Sequence, residues 1–325
     1  MEKTYILSMD EKTITQITWN GRFGNRMYQY AFGCNYANRY NCTFELPSKW
    51  EGDVLFKPHD KARLIPDEQF REQIVKSFGS TNYTEEEGRR ILAEYSERIG
   101  KKIDFMITGE DGYKGKTDVA YGDLNMMYLP QIFDDMDPKF VKGLFEFKDE
   151  IKEMPLYKEL ESKKGTYDCA HIRRGDVSNP HYNGHHSAIS LDAYHKAIRE
   201  NGSHAKNVIW VSDDYAIRTD SEWYKFCKEA WKFPEGQEVI PEIVFEWLPD
   251  FLIMYFSRKL FRGNSALSWW AAFLGDCEVY SPVVEDHILC KGRNFMFADF
   301  VNNNEPHFMG SKAEGFCDIK FTYNS

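Results

Sequence analysis

The sequence has no apolar run approaching the roughly 20 residues that a membrane-crossing helix needs, and no basic segment followed by an apolar one opens it. A helical span and a secretory leader are therefore not encoded in these residues, which predicts a cytoplasmic location. The cysteines, 7 in all at positions 34, 42, 169, 227, 277, 290 and 317, are odd in number and form no CxxC pair. A disulfide frame or a zinc knuckle is disfavoured, and Cys34, Cys169 and Cys277, set in apolar stretches, read as reduced core thiols. The sequons at Asn41, Asn82 and Asn201 are expected to go unused. Basic residues are in deficit, with 41 Lys+Arg against 51 Asp+Glu and a net charge of -10. A nucleic-acid binder would show a basic face instead. No GxGxxG follows a strand, and Gly21-Arg22-Phe23-Gly24 stops short of one, so a dinucleotide-dependent oxidoreductase lacks its pyrophosphate turn.

What is abundant is aromatic surface: 16% of the chain, with 19 Tyr and 8 Trp. Such rings build cores and also serve as platforms under sugars. A chain of 325 residues with 42% hydrophobic content buries a large core, and two domains are expected. Thr13 to Thr18 is β-rich. Gly21 to Asn25 reads as a turn, after which Met27, Tyr30, Ala31, Cys34 and Ala37 recur at helical spacing up to a stop at Asn41. Residues 45–155 show no clear order apart from a charged helical piece over 84–99. From 166 onward strands over 167–172, 207–212, 242–247, 259–261 and 278–281 alternate with helices over 191–199, 221–231, 250–258 and 265–274, the last stopped by Gly275. That alternation implies βαβ units and a parallel sheet, hence an α/β fold. The expected domains are residues 1–155 and 156–290, with an extension over 291–325 that packs back on the first.

Ligands of an open parallel sheet bind beyond the carboxyl ends of its strands. One such end carries Ala170-His171-Ile172-Arg173-Arg174-Gly175-Asp176, a pair of adjacent arginines where an apolar strand breaks into a turn. Guanidinium forks fit phosphate oxygens two at a time. The other ends supply Ser212-Asp213-Asp214, Asp250, and Gly263-Asn264-Ser265. Free N–H groups at the helix beginning near Ser265 add a second phosphate cradle. Arginines facing a helix N-terminus make a diphosphate site. Blander readings stand beside these. Arg-Arg pairs are commonly solvated, Arg174-Gly175-Asp176 is also an adhesion-type tripeptide, Asp213-Asp214 suits a helix cap, and Trp269 to Leu274 reads as core. His181, His185 and His186 lack the partners of a zinc site and read as a loop near the cleft. Asp135-Met136-Asp137 resembles a metal-holding acidic pair, but arginines can neutralise a diphosphate without metal, so neither a metal nor a cofactor is expected.

Three segments in order resemble the α1,2-fucosyltransferase family. Gly21 to Ala31 (GRFGNRMYQYA) resembles its GxLGNQMFQYA, His171 to Asp176 matches its HxRRGD, and Asn264 to Leu274 (NSALSWWAAFL) resembles its NSSFSWWAAxL, with Ser212-Asp213-Asp214 fitting between. The resemblance implies a GT-B-like fold of two facing Rossmann-type domains with a cleft between them. It implies an inverting, metal-independent transferase that moves fucose from GDP-fucose to the 2-OH of a galactoside in an oligosaccharide or glycoconjugate. It assigns Arg173, Arg174 and Asp176 to catalysis, and His171, Arg173, Arg174, Ser212, Asp213, Asp250, Asn264, Ser265 and Ser268 to the donor, with Asp250 toward guanine. Gly24, Asn25, Arg26 and His185 fall on the acceptor side of the cleft. For the acceptor base, Asp176 leads, ahead of His185 and Asp213. Departures are Phe23 for leucine, Arg26 for glutamine, Val177 for tyrosine and Ala266 for serine. The alternatives are another nucleotide sugar or linkage, or a non-catalytic glycan-binding protein.

Overall fold

A computed structural model describes residues 13–15, 22–46, 50–64, 97, 137–175, 188–204, 207–219, 247–263, 265–283 and 299–303. The chain forms two compact units, Met1–Glu146 and Phe147–Ser325. The expected pieces over 84–99 (apart from Glu97), 221–231 and 242–246 lie outside the described residues.

In the first unit β1 (Thr13–Thr15), β2 (Thr43–Leu46) and β3 (Ala62–Leu64) form a parallel sheet in that order, with Ile14 opposite Phe44 and Glu45 opposite Arg63. Helix α1 (Phe23–Tyr40) joins β1 to β2, α2 (Glu51–Leu55) lies between β2 and β3, and α3 (Pro138–Gly143) comes later. Met27, Tyr30, Ala31, Cys34 and Ala37 are all buried, as their spacing predicts. The ring of Tyr30 meets Phe44, Trp50 and Phe145 at centroid distances of 6.4, 4.6 and 5.8 Å. Asn41 ends α1 in the left-handed conformation, φ 49 and ψ 55, which its short polar side chain tolerates. The start of α1 differs from expectation. The N–H groups of Asn25 and Arg26 both reach the carbonyl of Arg22, at 2.9 and 3.1 Å, so Gly24 and Asn25 belong to the first helical turn and not to a preceding glycine turn.

The second unit begins with the short helices α4 (Asp149–Lys152) and α5 (Pro155–Ser162), earlier than the expected division at 155. Aromatic packing explains the difference: Phe147 meets the rings of Tyr157 and Tyr255 edge-on, and Tyr157 meets Phe256. The sheet then runs β5-β4-β6-β7-β8, built from β4 (Asp168–Ile172), β5 (Val208–Ser212), β6 (Lys259–Phe261), β7 (Glu278–Val283) and β8 (Asp299–Asn303). Its pairs are parallel except β7 with β8. Residues 299–303, expected in an extension folded onto the first domain, are thus an edge strand of the second sheet. Helices α6 (Leu191–Glu200), α7 (Leu248–Tyr255) and α8 (Ala266–Leu274) belong to the same unit.

Strand alternation sorts the layers. Ala170 and Ile172 share a core with Ala193, Tyr194, Ala197 and Ile198 of α6. Cys169 points the other way, where Cys277 and Asp250 act on it electrostatically. Trp269 and Trp270 are buried and pack on Phe273, so this pair is core. At the amino ends of the strands Asp168 takes a bidentate grip from Arg258, both bonds 2.8 Å.

Candidate functional site

The strand order places a switch point between β4 and β6. The chain leaves β4 through α6 to β5 on one side, and leaves β6 through α8 to β7 on the other. Such a point opens a crevice at the carboxyl ends of the two strands. The residues there are His171 at the end of β4, Arg173 and Arg174 after it, and Arg262 and Gly263 after β6.

The turn after β4 is held by an acid. Asp213, just beyond β5, accepts the backbone N–H of Arg174 through Oδ1 at 2.7 Å and that of Gly175 through Oδ2 at 2.9 Å. Beside it, Ser212 is buried and its hydroxyl accepts the N–H of Asp214 at 3.0 Å, while Asp214 accepts the N–H of Ala216 at 2.9 Å. Ser212 and Asp214 therefore shape the turn after β5, and Asp213 shapes the turn after β4. Arg174 is buried; burial lowers its pKa from the ordinary value while Tyr194, Asp214 and Asp213 oppose that shift. Guanidinium nevertheless stays charged at neutral pH.

His171 lies on the opposite face of β4 from Ile172. Its carbonyl accepts the hydroxyl of Tyr194 at 2.8 Å, and its Nδ1 is buried with no hydrogen-bond partner among the described residues. Burial, reinforced by Arg173 and Arg262, pushes the imidazole down to about 3. The ring is neutral at physiological pH. Gly263 explains how the two strand ends come so close. A Cβ there would meet the carbonyl oxygen of His171 at 2.7 Å, its Nδ1 at 3.0 Å and the Tyr194 hydroxyl at 3.2 Å.

Arg262 is a member of this group that the sequence reading missed. It is buried, with Nε donating to Ser281 Oγ at 2.8 Å and an amino group to the carbonyl of Gly263 at 3.3 Å. The signal was present in Lys259-Leu260-Phe261-Arg262-Gly263, an arginine at the first position past an apolar strand.

At the start of α8, Ser265 is the N-cap and accepts the N–H of Leu267 at 3.2 Å. Ser268 is fully buried and donates to the carbonyls of Gly263 and Ser265 at 3.0 and 3.1 Å, so its hydroxyl shapes the turn. Asp250 in α7 is paired with Arg218 at 2.8 Å, and the Arg218 guanidinium lies 5.1 Å from the ring centre of exposed Tyr215. In the first unit, Gly24 is buried and Asn25 half-buried at the start of α1, and Arg26 pairs with Glu51 of α2 at 3.1 Å. Asp137 of the expected acidic pair is the N-cap of α3. Asp176, His185 and Asn264 lie outside the described residues.

No family model matches the chain. Over 150 residues, 43% of this chain, it is 27% identical to the O-antigen biosynthesis glycosyltransferase WbnK of Escherichia coli, covering 47% of that protein. The match thus spans about half the length of that curated relative. Among solved structures, the fucosyltransferase NodZ from Bradyrhizobium is similar at 15% identity and a TM-score of 0.48, over 91% of this chain and 100% of that one. A variant of FUT1 from Arabidopsis thaliana in complex with GDP is similar at 12% identity and a TM-score of 0.48, over 89% of this chain and 73% of that one.

Proposed function

We propose that the chain is an inverting, GT-B-type fucosyltransferase that takes fucose from GDP-fucose and places it on the 2-OH of a galactoside. The observation that carries this reading is the pair Arg173–Arg174 at the switch point between β4 and β6, beside Arg262. Three guanidiniums at one crevice, in a chain of net charge -10, suit a ligand that is locally and strongly anionic. The three sequence segments and the match to a glycosyltransferase support the same class.

In this reading the diphosphate departs as the sugar gains oxocarbenium character. Negative charge grows on the leaving group, so arginines fixed in advance stabilise the transition state more than the ground state. Neutral His171 can meet the nucleotide as a hydrogen-bonding group without adding charge. With both oxygens engaged by backbone N–H groups, Asp213 is a poor acceptor-side base, which leaves Asp176, ahead of His185, as the candidate. The arginines would offset the diphosphate charge without a metal, so chelation with EDTA is expected to leave the rate unchanged.

The test is to incubate the protein with GDP-fucose and a panel of β-galactosides and to determine product linkage. An α1,2-fucosylated product is expected. Transfer from a different nucleotide sugar, or glycan binding without transfer, would overturn the proposal.

A further inference from the structure

Main-chain amides in a tight turn make an anion cradle of their own, a ready place for a phosphate. In the turn after β4 that cradle is already filled. Asp213 spans it with one oxygen on each of two consecutive N–H groups, at 2.7 and 2.9 Å. A diphosphate arriving at this turn therefore finds the guanidiniums of Arg173 and Arg174, not the amides between them.

We propose that Asp213 is the positioning residue of the arginine turn: its carboxylate locks the backbone of Arg174 and Gly175 so that the Arg174 guanidinium is held in place before the ligand binds. The inference rests on the donor-site reading given above. The geometry that favours it is mutual. Asp213 directly follows the strand beside β4, and the parallel register that sets His171 opposite Val211 and Ile172 opposite Ser212 carries Asp213 to the level of the turn. Gly175 is the other half of the device. A Cβ at that position would lie 2.6 Å from Asp213 Oδ2, so any side chain there forces the carboxylate off the N–H that it accepts. A charge-assisted pair of bonds to N–H groups is stronger than neutral ones. Fixing a charged group to within an ångström is also worth far more to a reaction than to folding, since a misplacement of that size can cost roughly 100-fold in rate.

The test uses the full chain and GDP as the probe, with titration calorimetry for binding and GDP-fucose turnover for kcat and KM. Asp213→Ala and Gly175→Ala are made alongside Arg174→Ala and the double variant Asp213→Ala/Arg174→Ala. Gly175 is exposed, so its alanine variant leaves the core intact. Asp213→Ala and Gly175→Ala are each expected to lower kcat by roughly 10- to 100-fold, and to weaken GDP binding, at temperatures where circular dichroism shows them fully folded. Asp213→Asn, whose amide keeps one acceptor oxygen, should recover part of the loss. The decisive comparison is the double variant, which should be no worse than Arg174→Ala alone, because the carboxylate acts through that arginine. Additive losses, or wild-type turnover in Gly175→Ala, would overturn the positioning role while leaving the donor site standing. Failure of the unmodified protein to bind GDP would overturn both.

Discussion

Arg173 and Arg174 differ in their surroundings although they are neighbours in sequence. Arg173 is half-buried and acts on His171, whereas Arg174 is buried and feels Tyr194, Asp213 and Asp214. The two guanidiniums thus meet different neighbours at one strand end, a pairing suited to a ligand with two phosphates. Alanine at either position is expected to cost about 3–4 kcal/mol in the barrier, or roughly 10²–10³ in kcat, read from initial rates with GDP-fucose. His171 provides a prediction in pH. An unfolded histidine titrates near 6.5, while this one titrates at about 3. Between those values the unfolded chain takes up a proton that the fold refuses, so this contribution to stability is complete above about 6.5 and is lost as pH falls toward 3, with a slope of up to about 1.4 kcal/mol per unit. Urea midpoints at pH 7, 5 and 4 should therefore fall more steeply for the wild type than for His171→Gln. Parallel lines would remove His171 as the cause.

The close crossing of β4, β6 and α6 is set by an element end, not by a long contact surface. Gly263 stands where a methyl group would strike the backbone carbonyl of His171. Gly263→Ala is expected to destabilise the fold by about 1–3 kcal/mol, the usual cost of forcing atoms into a packed site. A lower denaturant midpoint with unchanged slope is the sign to look for. The elements of this unit were readable in the sequence wherever apolar runs were long: α6, α7, α8 and the strands at 208–212, 259–261 and 278–283 fall within a few residues of where the periodicity puts them. The arginine turn was readable too, because two fixed charges after an apolar strand are conspicuous. Strands β2 and β3 were not, since Thr43-Phe44-Glu45-Leu46 and Ala62-Arg63-Leu64 are too short to show alternation and draw their order from the partners beside them. Nor were the inward roles of Ser212 and Ser268, or the grip of Asp213 on the turn. A hydroxyl or carboxylate at a strand end looks the same in sequence whether it meets a ligand or a backbone N–H.

Taken whole, the second sheet has two ends with different tasks. At the amino ends, Asp168 is clamped by Arg258 and by the Ser203 hydroxyl at 2.5 Å. At the carboxyl ends, among the described residues, Arg173, Arg174 and Arg262 gather, and Asp213 and Asp214 shape the turns named above. Substitution at Arg258 should therefore lower thermal stability and leave kcat alone, and a drop in kcat without a drop in melting temperature would contradict that division. If the cationic end is the donor site, GDP at about 100 times its Kd adds roughly 2.7 kcal/mol to stability, and UDP and dTDP at the same concentration should add much less. Melting curves with the three nucleotides compare them directly. The edge strand β8 connects these properties to the far end of the chain. The Phe300 ring lies tilted with its centre 4.9 Å from that of Tyr194, whose hydroxyl donates to the carbonyl of His171, and Asp299 ties Lys196 of α6 at 2.7 Å. A protein shortened ahead of Asp299 would lose no residue of the crevice and yet would leave Tyr194 without its backing. If the crevice is the donor site, anyone trimming this chain for expression would be adjusting its nucleotide affinity with every cut that reaches β8.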